Sequence, residues 1–241
     1  IQYAVEEAIS TGIETLIFIT GRNKRAIEDH FDKHYELEAA LRKANKPEIA
    51  NMVGDIIPSH VTCIFIRQNE QLGLGHAILC AESALNDEPF AVLLADDFIT
   101  DSDNRRGVTA DLVAAFEKSG QSQLSVMKVK DQDISKYGIV TFSQTNMAVT
   151  GLVEKPKINE APSNFASIGR YVLTSEIFSI LKGLNAGSNN EIQLADAINS
   201  LALKGKVSSV MVRGRRFDCG TVRGFIEANN YEYMKRIDRH E

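Results

Sequence analysis

The chain has 241 residues, 44% hydrophobic and 24% charged, the balance of a globular α/β-sized domain with a real core and not of a disordered or fibrous protein. A formal net charge of −5 and an isoelectric point near 5.6 exclude an extended phosphate-tracking surface, so nucleic acid is not expected as a partner. No apolar run reaches the roughly 18 to 20 residues of a membrane helix, and the first residues, IQYAVEEAIS, carry acids where a signal peptide carries bases, so a cytoplasmic protein without a membrane partner is expected.

AVEEAI has helical spacing and ETLIFIT then reads as a buried strand. One or two polar helices are predicted from about Lys24 to Asn45, VTCIFIR as a strand, GHAILCAESAL as a helix, PFAVLLADD as a strand, and VTADLVAAFEKSG as a helix closed by Gly120. Strands alternating with helices point to β-α-β units, hence a doubly wound, Rossmann-like α/β fold with a largely parallel sheet. After Gln123 the segments QLSVMKV, YGIVTF, AVTGLVEKP and FASIGRYVLT are strand-like with short links, which predicts antiparallel additions and a mixed sheet. SEIFSILKGL and NNEIQLADAINSLALKG read as helices, VSSVMVRGRRFDCGT as paired strands, and VRGFIEANNYEYMKRI as a closing helix capped by Thr221. Cys63, Cys80 and Cys219 lack the spacing of a disulfide framework or a zinc site, and the first two read as core residues.

Chemistry is concentrated in four places. The pair Gly73 and Gly75 in RQNEQLGLGHAI fails both phosphate-loop templates, because Ile78 stands where a third glycine belongs and no Gly-Lys-Ser follows. It is either a tight strand-to-helix turn or a place where a flat ligand meets bare backbone. Asp96 and Asp97 follow an apolar strand at the end of a sheet, where carboxylates suit Mg2+; alternation along an extended chain aims only one of them at a site, with Asp97 as the alternate ligand. Asp218 in FDCGT offers a second carboxylate after a strand. Glu154 and Lys155 in LVEKP could accept sugar hydroxyls and meet a phosphate, or be solvated charges at a turn closed by Pro156. RGRR, Arg213 to Arg216, reads as a salt-bridged surface turn, and His30, His34 and His240 have no second ligand at metal spacing.

The ordered segments RQNEQLGLGHA, VLLADD, KYGIV, LVEKP, ASIGRYVL, NEIQLADAI and FDCGT resemble the bacterial UTP–glucose-1-phosphate uridylyltransferases, a branch of the sugar nucleotidyltransferases. The resemblance implies the nucleotide-diphospho-sugar transferase fold as a single domain over residues 1–241, with UTP and glucose 1-phosphate as substrates and Mg2+ as cofactor. It implies that Gln68 and Gly73 meet the base, that Gly138, Glu154, Gly169 and Glu191 line the sugar, and that Lys155 meets its phosphate. Asp96 and Asp218 would bind the metal, and the protein would be a homo-oligomer with interfaces drawn from the helices around residues 24 to 50 and at the C-terminus.

The family begins with a strand and a glycine-rich loop that hold the triphosphate, whereas Ile1 here aligns with the helix after that loop. The expectation is a central sheet position left unpaired and little UDP-glucose synthesis from these 241 residues alone. Ala95, where relatives often carry proline, should matter little. Two other readings stand beside the main one: a thymidylyltransferase or other sugar-1-phosphate nucleotidyltransferase, and a catalytically silent subunit that keeps the sugar-nucleotide pocket.

Overall fold

The computed structural model describes residues 1–100, 107–143, 148–185, 187 and 190–237. The first half runs α1 (Gln2–Ser10), β1 (Thr15–Thr20), α2 (Arg25–Phe31), α3 (Tyr35–Lys43), α4 (Pro47–Gly54), β2 (Thr62–Arg67), α5 (Gly73–Ala81), β3 (Phe90–Leu93), β4 (Asp97–Thr100) and α6 (Gly107–Ser119). The second runs β5 (Ser122–Lys128), β6 (Gly138–Phe142), β7 (Val149–Glu154), β8 (Phe165–Leu173), α7 (Glu176–Gly183), α8 (Leu194–Ala202), β9 (Val207–Met211), β10 (Arg215–Asp218) and α9 (Val222–Ile237). The local signals act as their chemistry requires. Pro47 opens α4 with its φ already helical, Gly120 follows α6 in the left-handed region at φ +67°, and Thr221 Oγ1 accepts the Gly224 N–H at 3.1 Å at the start of α9.

Three segments differ from the sequence reading. The helix expected from Asn189, which lies outside the described residues, begins only at Leu194, leaving 191–193 outside it and Gln193 extended. The strands around Arg213 do not pair with each other: β9 joins β5 in parallel, and β10 joins β4 antiparallel. The sheet pairing is also less parallel than expected: among the described residues only β1/β2 and β5/β9 are parallel. The reason is β8, which runs antiparallel to its neighbours on both edges: β5 pairs along one, while β3 and β6 share the other.

The main core lies where α5, α7 and α8 cover this mixed sheet. Ile177, Leu181, Ile198 and Leu201 are fully buried there, each contributing roughly 1.5–3 kcal/mol of transfer free energy. A smaller core joins α1, β1, Phe31 and Val61. Among the described residues β1 pairs only with β2, and β3 only with β8. Between β1 and β3 lies an apolar slot of about 390 Å³, walled by Ile17, Ile19, Val92, Val5 and Ala77.

One buried cation ties the layers together at the end of β3. Arg170 donates to Glu7 Oε2 from Nε (3.0 Å) and Nη2 (2.9 Å), and to the carbonyls of Leu94 and Gly169 from Nη1. Glu7 Oε1 in turn accepts the N–H and hydroxyl of Thr109 on α6. A guanidinium 2% exposed is stable there because each face of its fork meets an acceptor. The three cysteines are free and half-buried, so Cys63 and Cys80 sit at the margin of the core and not inside it, where burial pushes their thiols above the ordinary range.

Candidate active site

A cavity of about 310 Å³ opens beyond the end of β3 and is lined by Asp96, Asp97, Gly138, Glu154, Lys155, Gly169 and Asp218, all singled out from the sequence. Five separate chain segments deliver them. The pairing of β4 with β10 sets Asp97 opposite Asp218, and the Cys219 N–H reaches back to the Asp96 carbonyl at 2.8 Å. This brings Asp96 and Asp218 to one spot. A Cβ on Gly220 would lie 3.2 Å from Asp96 Oδ2 and 3.2 Å from Asp218 Oδ1, so the two oxygens face each other within twice that distance across a space that glycine leaves free. Gly224 lets α9 close in behind, since a side chain there would run into the Asp218 carbonyl.

Asp97 points the other way. Its Oδ2 accepts the Gly169 N–H at 2.8 Å and its Oδ1 accepts from Arg216 Nε at 2.5 Å, with Arg216 Nη2 also in contact. Arg216 further donates to the Tyr137 hydroxyl at 2.6 Å and lies 5.0 Å over that ring. Both partners are about nine-tenths buried. Asp97 is therefore occupied as the counter-ion of Arg216, and Asp96 is the carboxylate left for a ligand. Gly169 has to be glycine for this arrangement, because a Cβ would stand 2.5 Å from Asp97 Oδ2 and 2.7 Å from Leu94 Cβ. The expectation for RGRR is corrected at Arg216, which is buried in the site and not solvated; Arg215 packs over Tyr231.

On the opposite wall, β6 and β7 place Gly138 beside Glu154. A Cβ on Gly138 would come to 3.1 Å from Glu154 Oε2, so glycine here leaves room for the carboxylate. Burial raises the Glu154 pKa above its ordinary value, with the Lys155 ammonium acting against the rise. Lys155 holds φ +44°, a left-handed conformation unusual for lysine, fixed by its N–H donating to the Tyr137 carbonyl at 3.0 Å. Its ammonium stays 63% exposed, 3.7 Å from Glu154, and is free to meet an incoming anion. The floor holds Tyr171, whose hydroxyl burial pushes up to about 12.

Gln68, Gly73 and Glu191 form a second group beside this cavity. Gln68 Nε2 donates to the Gly73 carbonyl at 3.1 Å and contacts His76 Nδ1 at 3.0 Å. Gly73 begins α5 at φ +90°, and a Cβ on it would meet Glu191 Cβ at 2.9 Å. Gly75 lies inside the helix, packed on the Ile192 carbonyl and donating to it at 2.9 Å. The glycines therefore serve close backbone packing between the LGLG turn and the NEIQ segment. Glu191 stands against Gly73 and does not line the cavity that holds Glu154 and Gly138; its Oε2 accepts from Gln193 at 2.7 Å. Sequence reasoning missed Lys136, Tyr137, Tyr171, Gln193 and Arg216 as lining residues, and His76 as the neighbour of Gln68. The GHA that follows the two glycines is the one visible signal for His76.

The donor set fits a hard cation. Two carboxylates face one gap, and among the described residues no group of three or more His, Cys, Asp or Glu could hold a metal, so further ligands would come from substrate oxygens and water.

A cavity with two carboxylates at a sheet end, an adjoining acid–base pair and a glycine turn beside it has the chemistry to take a metal ion and phosphate groups. The family model described as nucleotidyl transferase matches residues 1–234. A UTP–glucose-1-phosphate uridylyltransferase of Bacillus subtilis is 44% identical over 235 residues, which cover 95% of this chain and 77% of that protein. A UDP-glucose pyrophosphorylase solved in complex with UDP-glucose superposes with a TM-score of 0.87 at 39% identity, over 97% of this chain and 86% of that one. A UTP-bound enzyme of the same kind from Acinetobacter baumannii gives 0.87 at 36% identity, over 96% and 81%. The chain belongs to the nucleotidyl transferase family, within its branch of bacterial UTP–glucose-1-phosphate uridylyltransferases.

Proposed function

We propose that this chain transfers the uridylyl group of UTP to glucose 1-phosphate, giving UDP-glucose and pyrophosphate. The observation that carries the reading is Asp96 facing Asp218 across Gly220 in the cavity that also holds Glu154 and Lys155. Family membership and the likeness to UDP-glucose-bound and UTP-bound enzymes support it.

The sugar phosphate oxygen attacks the α-phosphorus of UTP in line, and pyrophosphate leaves from the opposite side. Lys155 sets its mobile ammonium against the phosphate of the sugar, so that two anions can share one cavity. Glu154 accepts sugar hydroxyls, and the bare backbone at Gly138 and Gly169 lets the ring lie close. Gly73 walls the base and Gln68 reads its edge. Asp96 and Asp218 would hold the metal, Mg2+ by their oxygen chemistry, and a bound ion would offset the negative charge of the phosphates. Asp97 and Arg216 keep the two strands that carry these aspartates in register. What the protein supplies is mostly positioning of two anionic reactants.

We assign residues 1–241 to one catalytic domain acting in the cytoplasm as a homo-oligomer. Exposed Val222, Phe225 and Ile226 on α9 offer an apolar face for self-association, and among the described residues no helix is long and apolar enough to cross a membrane. The test is a calorimetric titration of UDP-glucose and dTDP-glucose. Tighter binding of UDP-glucose, weakened at least tenfold by Lys155→Ala, is expected. Equal binding of both nucleotides, or none, refutes the reading.

A further inference from the structure

We propose that His76 is a positioning residue that fixes the carboxamide of Gln68 with its oxygen toward the base, and that this orientation selects uracil over cytosine. The inference rests on the reading of Gln68 as the residue that meets the base edge.

A carboxamide has two donor hydrogens on nitrogen and an acceptor oxygen, and it can turn over so that the two ends exchange places. At Gln68 two inner neighbours lie against the nitrogen of the carboxamide, and the carbonyl among them can only accept. One is the Gly73 carbonyl, 3.1 Å from Nε2; the other is His76 Nδ1, 3.0 Å from the same nitrogen. A carbonyl cannot donate, so the first contact alone disfavours the turned-over amide. The second doubles the preference provided that Nδ1 is the acceptor, which puts the ring proton on Nε2. With both hydrogens of Nε2 spent inward, Oε1 is turned outward and has no hydrogen-bond partner among the described residues.

The positions that enforce this are themselves fixed. The Gln68 N–H donates to the Thr20 carbonyl at 2.8 Å, extending the β1/β2 pairing by one bond. The Gly73 carbonyl is set by φ +90°, and the turn that carries it is clamped by two backbone bonds, Ile192 N–H to the Leu72 carbonyl at 2.8 Å and Gly75 N–H to the Ile192 carbonyl at 2.9 Å. His76 sits one helical turn along, on α5, whose close packing on Ile192 is possible only because residue 75 is glycine. The LGLGHA run thus does two jobs: its glycines bring the backbone in, and its histidine orients the glutamine.

The chemical consequence follows from the edges of the bases. Uracil presents a ring N3–H donor between two carbonyls, and cytosine presents a bare N3 acceptor beside an amino group. An outward acceptor that cannot turn over meets the N3–H of uracil and opposes the lone pair of cytosine. A glutamine free to turn would satisfy either base. A site built to hydrogen-bond one partner discriminates through the group left unpaired with the other, so the loss expected on freeing the amide is about ten- to a hundred-fold in preference.

The test measures binding of UDP-glucose and CDP-glucose by calorimetry to the unsubstituted chain, to His76→Phe, which keeps a ring but removes both nitrogens, and to Gln68→Ala. The preference for UDP-glucose should fall about tenfold in His76→Phe, where the Gly73 carbonyl still opposes the turned-over amide, chiefly because CDP-glucose binds better, and should vanish in Gln68→Ala. If Gln68→Ala abolishes the preference and His76→Phe leaves it unchanged, the role of His76 is overturned while the base reading survives. If the unsubstituted chain shows no preference, or Gln68→Ala keeps it, the base reading falls and this inference with it. Nitrogen-15 NMR of His76 in the unsubstituted chain needs no variant to fold: a proton on Nε2 and none on Nδ1 is expected, and a proton on Nδ1 overturns the proposal.

Discussion

Replacing Arg216 with methionine tests whether the buried ion pair behind the two facing aspartates acts as described. The Arg216 side chain is 10% exposed and that of Asp97 9%, so removing the guanidinium leaves a carboxylate in a poorly solvated place, with only the Gly169 N–H still donating to it. Breaking a buried pair from one side costs about 3–5 kcal/mol, and the lost bond to the Tyr137 hydroxyl adds about 0.5–1.5 kcal/mol. Against a total stability of roughly 5–15 kcal/mol this is a large fraction. The double variant Asp97→Asn with Arg216→Met removes the charge as well, and the oxygen of the new carboxamide can still accept from Gly169, so it should recover most of the loss. Urea unfolding at neutral pH reads both variants. The reasoning is refuted if Arg216→Met costs under about 1 kcal/mol, or if the double variant is less stable than Arg216→Met alone, since either result means that no buried charge was left uncompensated.

Other consequences follow from single groups in the site. Gly220→Ala puts a methyl 3.2 Å from both facing carboxylate oxygens; the urea midpoint should hold while Mg2+ affinity, measured by calorimetry, drops at least about tenfold. Lys155→Gly relieves a left-handed conformation worth about 1–2 kcal/mol, less about 0.5–1 kcal/mol of extra chain entropy, so the melting temperature should hold or rise slightly while UDP-glucose binding weakens; a lowered melting temperature contradicts the strain. Burial raises the Glu154 carboxyl above 4.5 in the native state, so the native chain holds this proton more tightly than the unfolded one. Its contribution to stability is therefore lost as pH rises from about 4.5 through the raised value. Melting curves of Glu154→Gln and the parent should converge toward low pH and separate at neutral pH in favour of the variant, and the opposite trend contradicts the assignment.

Much of this molecule can be read from residue order, and the failures have physical causes. Buried strands such as PFAVLL and FASIGRYVL announce themselves by apolar runs, but a strand covered on both faces looks the same whichever way its neighbours run. Nothing in those runs says that β8 enters antiparallel between β3 and β5. Period-two alternation does not decide between Asp96 and Asp97, because β3 ends at Leu93 and Asp96 lies in the turn before β4; both line the cavity, and what separates them is that Asp97 pairs with Arg216 while Asp96 stands beside Asp218. Arg216 misleads because charges near one another in sequence suggest solvated pairing, whereas its partner lies 119 positions away. The NEIQ segment reads as helix because its apolar spacing continues that of α8, yet Ile192 is tied by backbone bonds to the LGLG turn and the helix starts after it, a tertiary contact with no local signature. Glu154, Lys155 and Asp218 stand out by residue type and position and do line the cavity, Gln68 enters only through the family resemblance, and the neighbour placed against Gln68 needs coordinates.

The proposal that Asp96 and Asp218 together hold a metal ion underlies the uridylyl-transfer reading. Its most direct test is a titration of UDP-glucose with and without Mg2+ into the parent chain, Asp96→Asn and Asp218→Asn. Mg2+ should tighten binding to the parent, and either substitution should remove this increment while leaving metal-free binding unchanged. An increment that survives in both variants, or that is absent from the parent and appears only when Asp97 is altered, would contradict it.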